Sequence, residues 1–167
     1  MARLVGGRRS VADRIKVSIA DYAVAADGVL TTSGLGSCLG VVIYDGDGDL
    51  GGLVHPMLPH RNGDDERPPE RFVDSGIGLV VEELLASGAA EGSLEAKLTG
   101  GAAVIDFGTD GESIGDRNVV AAREILGEYG IGIVGEAVGG DCGRTVRADI
   151  ETGIVTVKRT DGEVIEL

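Results

Sequence analysis

Thr31-Thr32-Ser33-Gly34-Leu35-Gly36-Ser37-Cys38 runs into Leu39-Gly40-Val41-Val42-Ile43-Tyr44-Asp45 and, past Gly46-Asp47-Gly48-Asp49, into Leu50-Gly51-Gly52-Leu53-Val54-His55-Pro56-Met57-Leu58-Pro59. A turn of small residues delivers a cysteine to the mouth of an apolar strand, and after an acidic turn the next strand ends on a histidine. Paired as a hairpin with a constant index sum of 93, centred on Gly46-Asp47, the two strands set Cys38 opposite His55. Facing residues of an antiparallel pair have Cβ atoms roughly 4.5–5.5 Å apart, within reach of a thiol and an imidazole. Spacing alone therefore places a candidate nucleophile beside a candidate base.

On either side of this hairpin the chain reads as more strands. Apolar residues alternate at Ile15, Val17 and Ile19, the mark of a strand over 15–24, and 29–32 is a short strand entering the Gly34/Gly36 turn. The polar run 60–69 is a loop. Phe72, Val73, Ile77, Val80, Val81, Leu84 and Leu85 recur at helical spacing and give a helix over 70–87, with Pro69 at its start and Gly88 at its end. A strand over 94–99, a helix over 117–129 stopped by Gly130, and a strand over 131–138 follow. A hairpin of 144–150 with 154–158 turns on Glu151-Thr152-Gly153, and 164–167 adds an edge. Consecutive strands interrupted by two main helices argue for an α+β layered sandwich with mostly antiparallel pairing. Residues 1–14 are Arg-rich and without strand periodicity, and are expected to form a mobile leader to a single domain over 15–167.

Composition removes several classes of function. The net charge is −13, whereas binding phosphates needs a basic face, so nucleic acid is excluded as a partner. No apolar run approaches the ~20 residues that span a bilayer, and no hydrophobic segment follows the early arginines, so a cytoplasmic location without membrane insertion is expected. In such a compartment Cys38 and Cys142 are free thiols. Asp45-Gly46-Asp47-Gly48-Asp49 begins like a calcium loop, but Leu50 and Pro56 stand where that loop needs Gly and Glu. Gly130-Ile131-Gly132-Ile133-Val134-Gly135 matches a dinucleotide fingerprint in letters only, because it leaves a helix and becomes a strand. Cys38, His55, His60 and Cys142 lack the paired short spacings of a zinc site. No metal and no cofactor is expected.

What remains is thiol chemistry. A cysteine nucleophile needs an imidazole within hydrogen-bond distance, and an imidazolium neighbour lowers its pKa. Acyl transfer also needs backbone N–H groups aimed at the developing oxyanion, and Gly34 and Gly36 leave that backbone open to a substrate carbonyl. A hydroxyl at Thr31, Thr32 or Ser33 is placed to accept the other imidazole N–H; spacing does not choose among the three.

The same stretch resembles the CheD chemoreceptor glutamine deamidases, from Thr32 through Gly-Leu-Gly-Ser-Cys38 to Gly51-Gly52-Leu53-Val54-His55-Pro56-Met57-Leu58-Pro59. Gly100-Gly101-Ala102, Ile114-Gly115-Asp116-Arg117-Asn118-Val119, Gly139-Gly140-Asp141, Arg144-Thr145-Val146 and Ile150-Glu151-Thr152-Gly153 continue the likeness in order, over roughly residues 15–158. The resemblance implies a protein-glutamine deamidase that acts on methyl-accepting chemotaxis receptors. Its catalytic residues would be Cys38, His55 and Thr32, with Gly36 and Ser37 against the substrate. It also implies a layered α/β sandwich shared with glutamine-deamidating bacterial toxins, and a CheC-type phosphatase as partner. The rival reading is a non-catalytic regulatory module that binds such a phosphatase.

Three lysines stand against twelve arginines on this acidic chain, a surface suited to a high-salt interior where screening removes self-repulsion. A halophilic source follows as a hypothesis. The melting temperature should then rise in molar KCl, and a melting temperature indifferent to the salt would contradict it.

Overall fold

A computed structural model describes residues 4–5, 14–46, 49–103 and 112–167. The elements are β1 (Leu4–Val5), β2 (Arg14–Lys16), β3 (Tyr22–Ala25), β4 (Val29–Leu35), β5 (Leu39–Asp45), β6 (Gly51–Val54), α1 (Val73–Ala86), β7 (Leu94–Gly100) and α2 (Ile114–Glu128), then β8 (Gly132–Val138), β9 (Arg144–Asp149), β10 (Val155–Arg159) and β11 (Val164–Glu166). One sheet has the order β1-β3-β6-β5-β7-β8 and the other β11-β10-β9-β4-β2. Pairing is antiparallel except at β1/β3, β2/β4 and β7/β8.

Strand β5 explains why the molecule has layers. Its side chains alternate between two apolar environments, so it is buried on both faces. Leu39, Val41 and Ile43 pack with Ile77, Val80 and Leu84 of α1 and with Val119 and Leu126 of α2. Cys38 and Val42 face the other way, into a second core with Leu30, Leu53, Val146 and Val157. Helices, six-stranded sheet and five-stranded sheet therefore stack in that order. This is the α+β layered sandwich with two main helices that the strand runs implied. At Gly52 of β6 the helix layer comes so close that a Cβ would stand 2.6 Å from Val80 Cγ1.

Several elements differ from the sequence reading, each for a local reason. The hairpin of β5 and β6 pairs Val41 with Val54 and Val42 with Leu53, an index sum of 95 and not 93. A turn centred on Gly46-Asp47 does not form because Asp45 N–H already donates to the Leu50 carbonyl, while Gly46 N–H donates to Ser93. The loop is longer than the tight turn assumed, and Asp47 and Gly48 lie outside the described residues. His55 consequently stands opposite Gly40, and Cys38 is one diagonal step away. A slip of two residues leaves every side chain on its original face, since the strand period is two.

The single strand expected over 15–24 is two strands in different sheets. Between β2 and β3 the chain crosses from one sheet to the other, and Ala20 takes φ 55, a left-handed value that ends any ladder. Alternation could not reveal this, because both halves have it. The helix expected from residue 70 begins as a 3-10 turn, Pro69–Arg71, followed by α1 proper. Helix α2 starts three residues earlier than expected, where Ser113 accepts from Asp116 N–H and the Asp116 carboxylate returns to Ser113 N–H. Of the leader expected over 1–14, residues 1–3 and 6–13 lie outside the described residues. Leu4–Val5 runs parallel to β3 and Arg14 opens β2.

Candidate active site

The two sheets meet at Thr32 and His55. Thr32 is on β4 of the five-stranded sheet and His55 just follows β6 of the other; both are 1% exposed. The Thr32 hydroxyl donates to the Val17 carbonyl at 2.8 Å and lies 2.7 Å from His55 Nδ1. A hydroxyl has one proton to give. With that proton on Val17, Thr32 Oγ1 accepts from His55, so Nδ1 carries the hydrogen and Nε2 the lone pair. Nε2 is buried without a hydrogen-bond partner. The ring is also held by its backbone: His55 N–H donates to the Asp21 carbonyl at 3.0 Å, and Ala20 N–H donates to the His55 carbonyl at 2.8 Å. The crossover between β2 and β3 thus grips the histidine backbone at two points and, through Val17, fixes the Thr32 hydroxyl that meets the ring.

Cys38 reaches the same inter-sheet face from the link between β4 and β5. The β4/β9 ladder breaks its register between Thr32 and Leu35, where Gly34 takes φ +74, and the chain leaves one sheet for the other. Leu39 N–H then donates to the Pro56 carbonyl at 3.1 Å, which continues the index sum of 95 past the end of β6. His55 stands opposite Gly40, where a Cβ would crowd Leu35 and Thr99, and diagonal neighbours remain within reach of long or aromatic side chains. Gly36 and Ser37 lie in the crossing turn. Their carbonyls are engaged, Gly36 by Ala102 N–H and Ser37 by Asn118 Nδ2. The amides of Ser37 and Cys38 have no backbone acceptor among the described residues.

The surroundings make the pair electrically neutral at rest. Burial pushes the Cys38 thiol up from its ordinary value, opposed by its own backbone N–H and by Arg71. Burial also pulls His55 down to about 4. The ion pair that the sequence suggested, with an imidazolium lowering the thiol pKa, is therefore not the resting state. A neutral imidazole with a defined lone pair has the form in which a histidine can accept a proton.

Three buried supports carried no assigned role in the sequence reading. Asn118 on α2 donates from Nδ2 to both the Ser37 and Met57 carbonyls, tying the cysteine turn to the segment after the histidine. Gly101 N–H donates to the Cys38 carbonyl, and a Cβ at Gly100 (φ +96) would collide with that carbonyl. Arg144 holds this glycine pair by donating to the Gly100 and Gly139 carbonyls. A signal for Asn118 was present: it shares the buried face of α2 with Val119, Ala122 and Leu126, where a polar residue needs partners. His60 stands apart, exposed beside Asp74, and Cys142 is a free thiol contacted by Arg159. Among the described residues no group of three or more His, Cys, Asp or Glu side chains is placed to hold a metal.

Comparison with known proteins gives a consistent set. Residues 57–159 match the family model described as CheD chemotactic sensory transduction. A protein of Natronomonas pharaonis named a probable chemoreceptor glutamine deamidase CheD is 66% identical over 90% of this chain and 91% of its own length. A namesake from Haloarcula marismortui is 44% identical over 95% of this chain and 92% of its own length. Among solved structures, the Bacillus licheniformis hypothetical protein YfiH gives a TM-score of 0.43 at 13% identity, over 80% of this chain and 62% of that one. That likeness is too distant to bear on the fold.

Thr32→Val would leave the His55 Nδ1–H and the Val17 carbonyl unpaired in the core. It should destabilise the protein by about 1–3 kcal/mol, while Thr32→Ser keeps both bonds and most of the stability. Linkage gives a second expectation. His55 is neutral in the fold down to about 4 but titrates at 6.5 when unfolded, so its contribution is complete above 6.5 and is lost as pH falls through about 4. Denaturant unfolding at successive pH values checks both, with His55→Gln expected to flatten the loss between those limits.

Proposed function

The chain belongs to the CheD family, and from that premise we propose that it is a protein-glutamine deamidase in which Cys38, His55 and Thr32 convert receptor glutamines to glutamates. The observation that carries the reading is the buried Nε2 of His55, without a hydrogen-bond partner among the described residues, at a ladder position one diagonal step from Cys38. No hydrogen bond joins this nitrogen to Cys38 Sγ in the resting structure, so the reading requires the thiol to close on an acceptor that no other described residue occupies.

The chemistry follows in two halves. His55 Nε2 takes the Cys38 proton, and the thiolate attacks the carboxamide carbon of a glutamine side chain. The amides of Ser37 and Cys38 steady the oxyanion, and small residues at Gly34 and Gly36 let the carbonyl approach them. The imidazolium then returns its proton to the departing nitrogen and ammonia leaves, with a thioester on Cys38. Water, deprotonated by His55, hydrolyses the thioester to glutamate and frees the thiol. Thr32 keeps the ring in one tautomer throughout, and because Nδ1–H already donates, the positive charge of the intermediate imidazolium is shared with the Thr32 oxygen. The neutral resting pair implies that activity persists below pH 6.5, with its acid limb near the lowered His55 value of about 4.

The partners proposed with this activity are the cytoplasmic parts of methyl-accepting chemotaxis receptors, and the location is the cytoplasm. No described helix is long and apolar enough to cross a membrane. A CheC-type phosphatase is proposed to dock over the same rim, and adding one should slow the reaction.

Mass spectrometry of a receptor fragment incubated with the protein should find discrete glutamines converted to glutamate. Cys38→Ala should abolish the conversion, and His55→Ala should slow it by about 10²–10⁴ fold, the range of general base catalysis. Conversion that persists with Cys38→Ala would remove the cysteine from the mechanism. No conversion by the wild type, with a phosphatase still bound, would favour the regulatory module.

A further inference from the structure

Arg71 ends the 3-10 turn Pro69–Arg71 in front of α1, and its backbone carbonyl accepts from both Met57 N–H (2.8 Å) and Leu58 N–H (3.2 Å). Continuing the β5/β6 register past Leu39 and Pro56 brings Met57 alongside Cys38. The order across the ladder is therefore Cys38, Met57, Arg71, which sets the turn that carries the arginine next to Met57 on the side away from Cys38. Its side chain has no hydrogen-bond or ion-pair partner among the described residues, and its Nε is buried without an acceptor. A partly buried guanidinium without a counter-anion costs free energy, so its position points to an anion that the resting protein lacks.

We propose that Arg71 is the positioning cation of this site, holding the negative charge that Cys38 carries once its proton has moved from Sγ to Nε2 of His55. The inference rests on the Cys38–His55 reading above. Of the charged groups acting on the Cys38 thiol, Arg71 is the one that favours the thiolate, against the rise caused by burial. Three acids are engaged elsewhere: Asp74 with Arg61 N–H and the His60 ring, Glu83 with the Tyr22 hydroxyl, and Asp116 in the cap of α2; the charge of Glu70, next to Arg71 in sequence, disfavours ionisation of the Tyr22 phenol. His55 is neutral until the proton arrives, so Arg71 supplies the positive charge present before transfer. The role explains how a buried cysteine is activated by a histidine too weakly basic to form a standing ion pair.

Alkylation of Cys38 by iodoacetamide, followed across pH by peptide mass spectrometry with Cys142 as internal reference, tests this in the wild type, Arg71→Lys, Arg71→Met and Arg71→Gln. All variants keep the carbonyl that holds Met57 and Leu58, and a melting curve confirms folding; if Arg71→Met fails to fold, Arg71→Gln decides. Removing the charge should raise the Cys38 midpoint by about one pH unit and slow alkylation below it about tenfold. Arg71→Lys should recover most of the rate, and Cys142 should not change. With receptor fragment, kcat should fall and KM stay near wild type. Neutral variants that alkylate like the wild type would overturn the proposal, as would Arg71→Lys being as slow as Arg71→Met, since packing and not charge would then be at work. Alkylation needs no receptor, so a shifted midpoint in a chain that deamidates nothing would sink the functional reading and leave Arg71 standing.

Discussion

One hydroxyl proton decides what this site can do. Thr32 spends its only O–H on the Val17 carbonyl, so its oxygen can only accept from His55, and the imidazole is left with its lone pair on Nε2. Were the Val17 carbonyl elsewhere, Thr32 could donate to the ring, and the opposite tautomer would put a proton where the base is needed. Val17 is in position because its own N–H donates to the Thr31 carbonyl, prolonging the parallel pairing of β2 with β4. The tautomer of a histidine on one sheet is thus set by a strand pairing in the other. The two sheets share no backbone ladder, and side-chain hydrogen bonds such as Thr32 to His55 and Arg144 to Gly100 join them.

Cys38 is fixed by a second set of contacts, independent of the first. Cys38 lies on a turn that belongs to neither sheet, and three elements hold its backbone: Gly101 at its carbonyl, Asn118 at Ser37, and Pro56 at the amide of Leu39. Arg144 and the left-handed glycines at 100 and 101 preserve the loop that makes the first of these contacts. The amides of Ser37 and Cys38 have no backbone acceptor among the described residues, while the carbonyls of Gly36, Ser37 and Cys38 are all satisfied, the pattern that the proposed oxyanion contact calls for.

Much of this was legible in the residues, though not all for the reason first given. Strand β5, with apolar side chains on both faces, foretold a layer on each side. The register read from the sequence makes Cys38 and His55 direct partners; in the structure it is two residues out, so that facing pair does not form, and the two are left on one face as diagonal neighbours. Loop length set the error, and nothing in Gly46-Asp47-Gly48-Asp49 says that Gly46 will bond to Ser93. The division of 15–24 between two sheets was illegible because alternation reports a strand and not its partner. The capping box of Ser113 and Asp116 was readable and would have placed the start of α2. Thr32 could not be separated from Thr31 and Ser33 by spacing; its selection came from family resemblance, and the bond to His55 Nδ1 now supplies a physical reason. Asn118 left one mark, a polar residue on the apolar face of α2, whereas Arg71 left none, because its contacts are backbone amides and a thiol distant in sequence.

The account depends most on the state of one ring. Nitrogen-15 NMR of histidine-labelled protein at neutral pH reads that state directly, with the His60 signals separated by His60→Gln. The account predicts a neutral His55 with its proton on Nδ1 and an unprotonated Nε2, and loss of that fixed tautomer in Thr32→Val. An imidazolium at neutral pH, or a neutral ring protonated on Nε2, would contradict it.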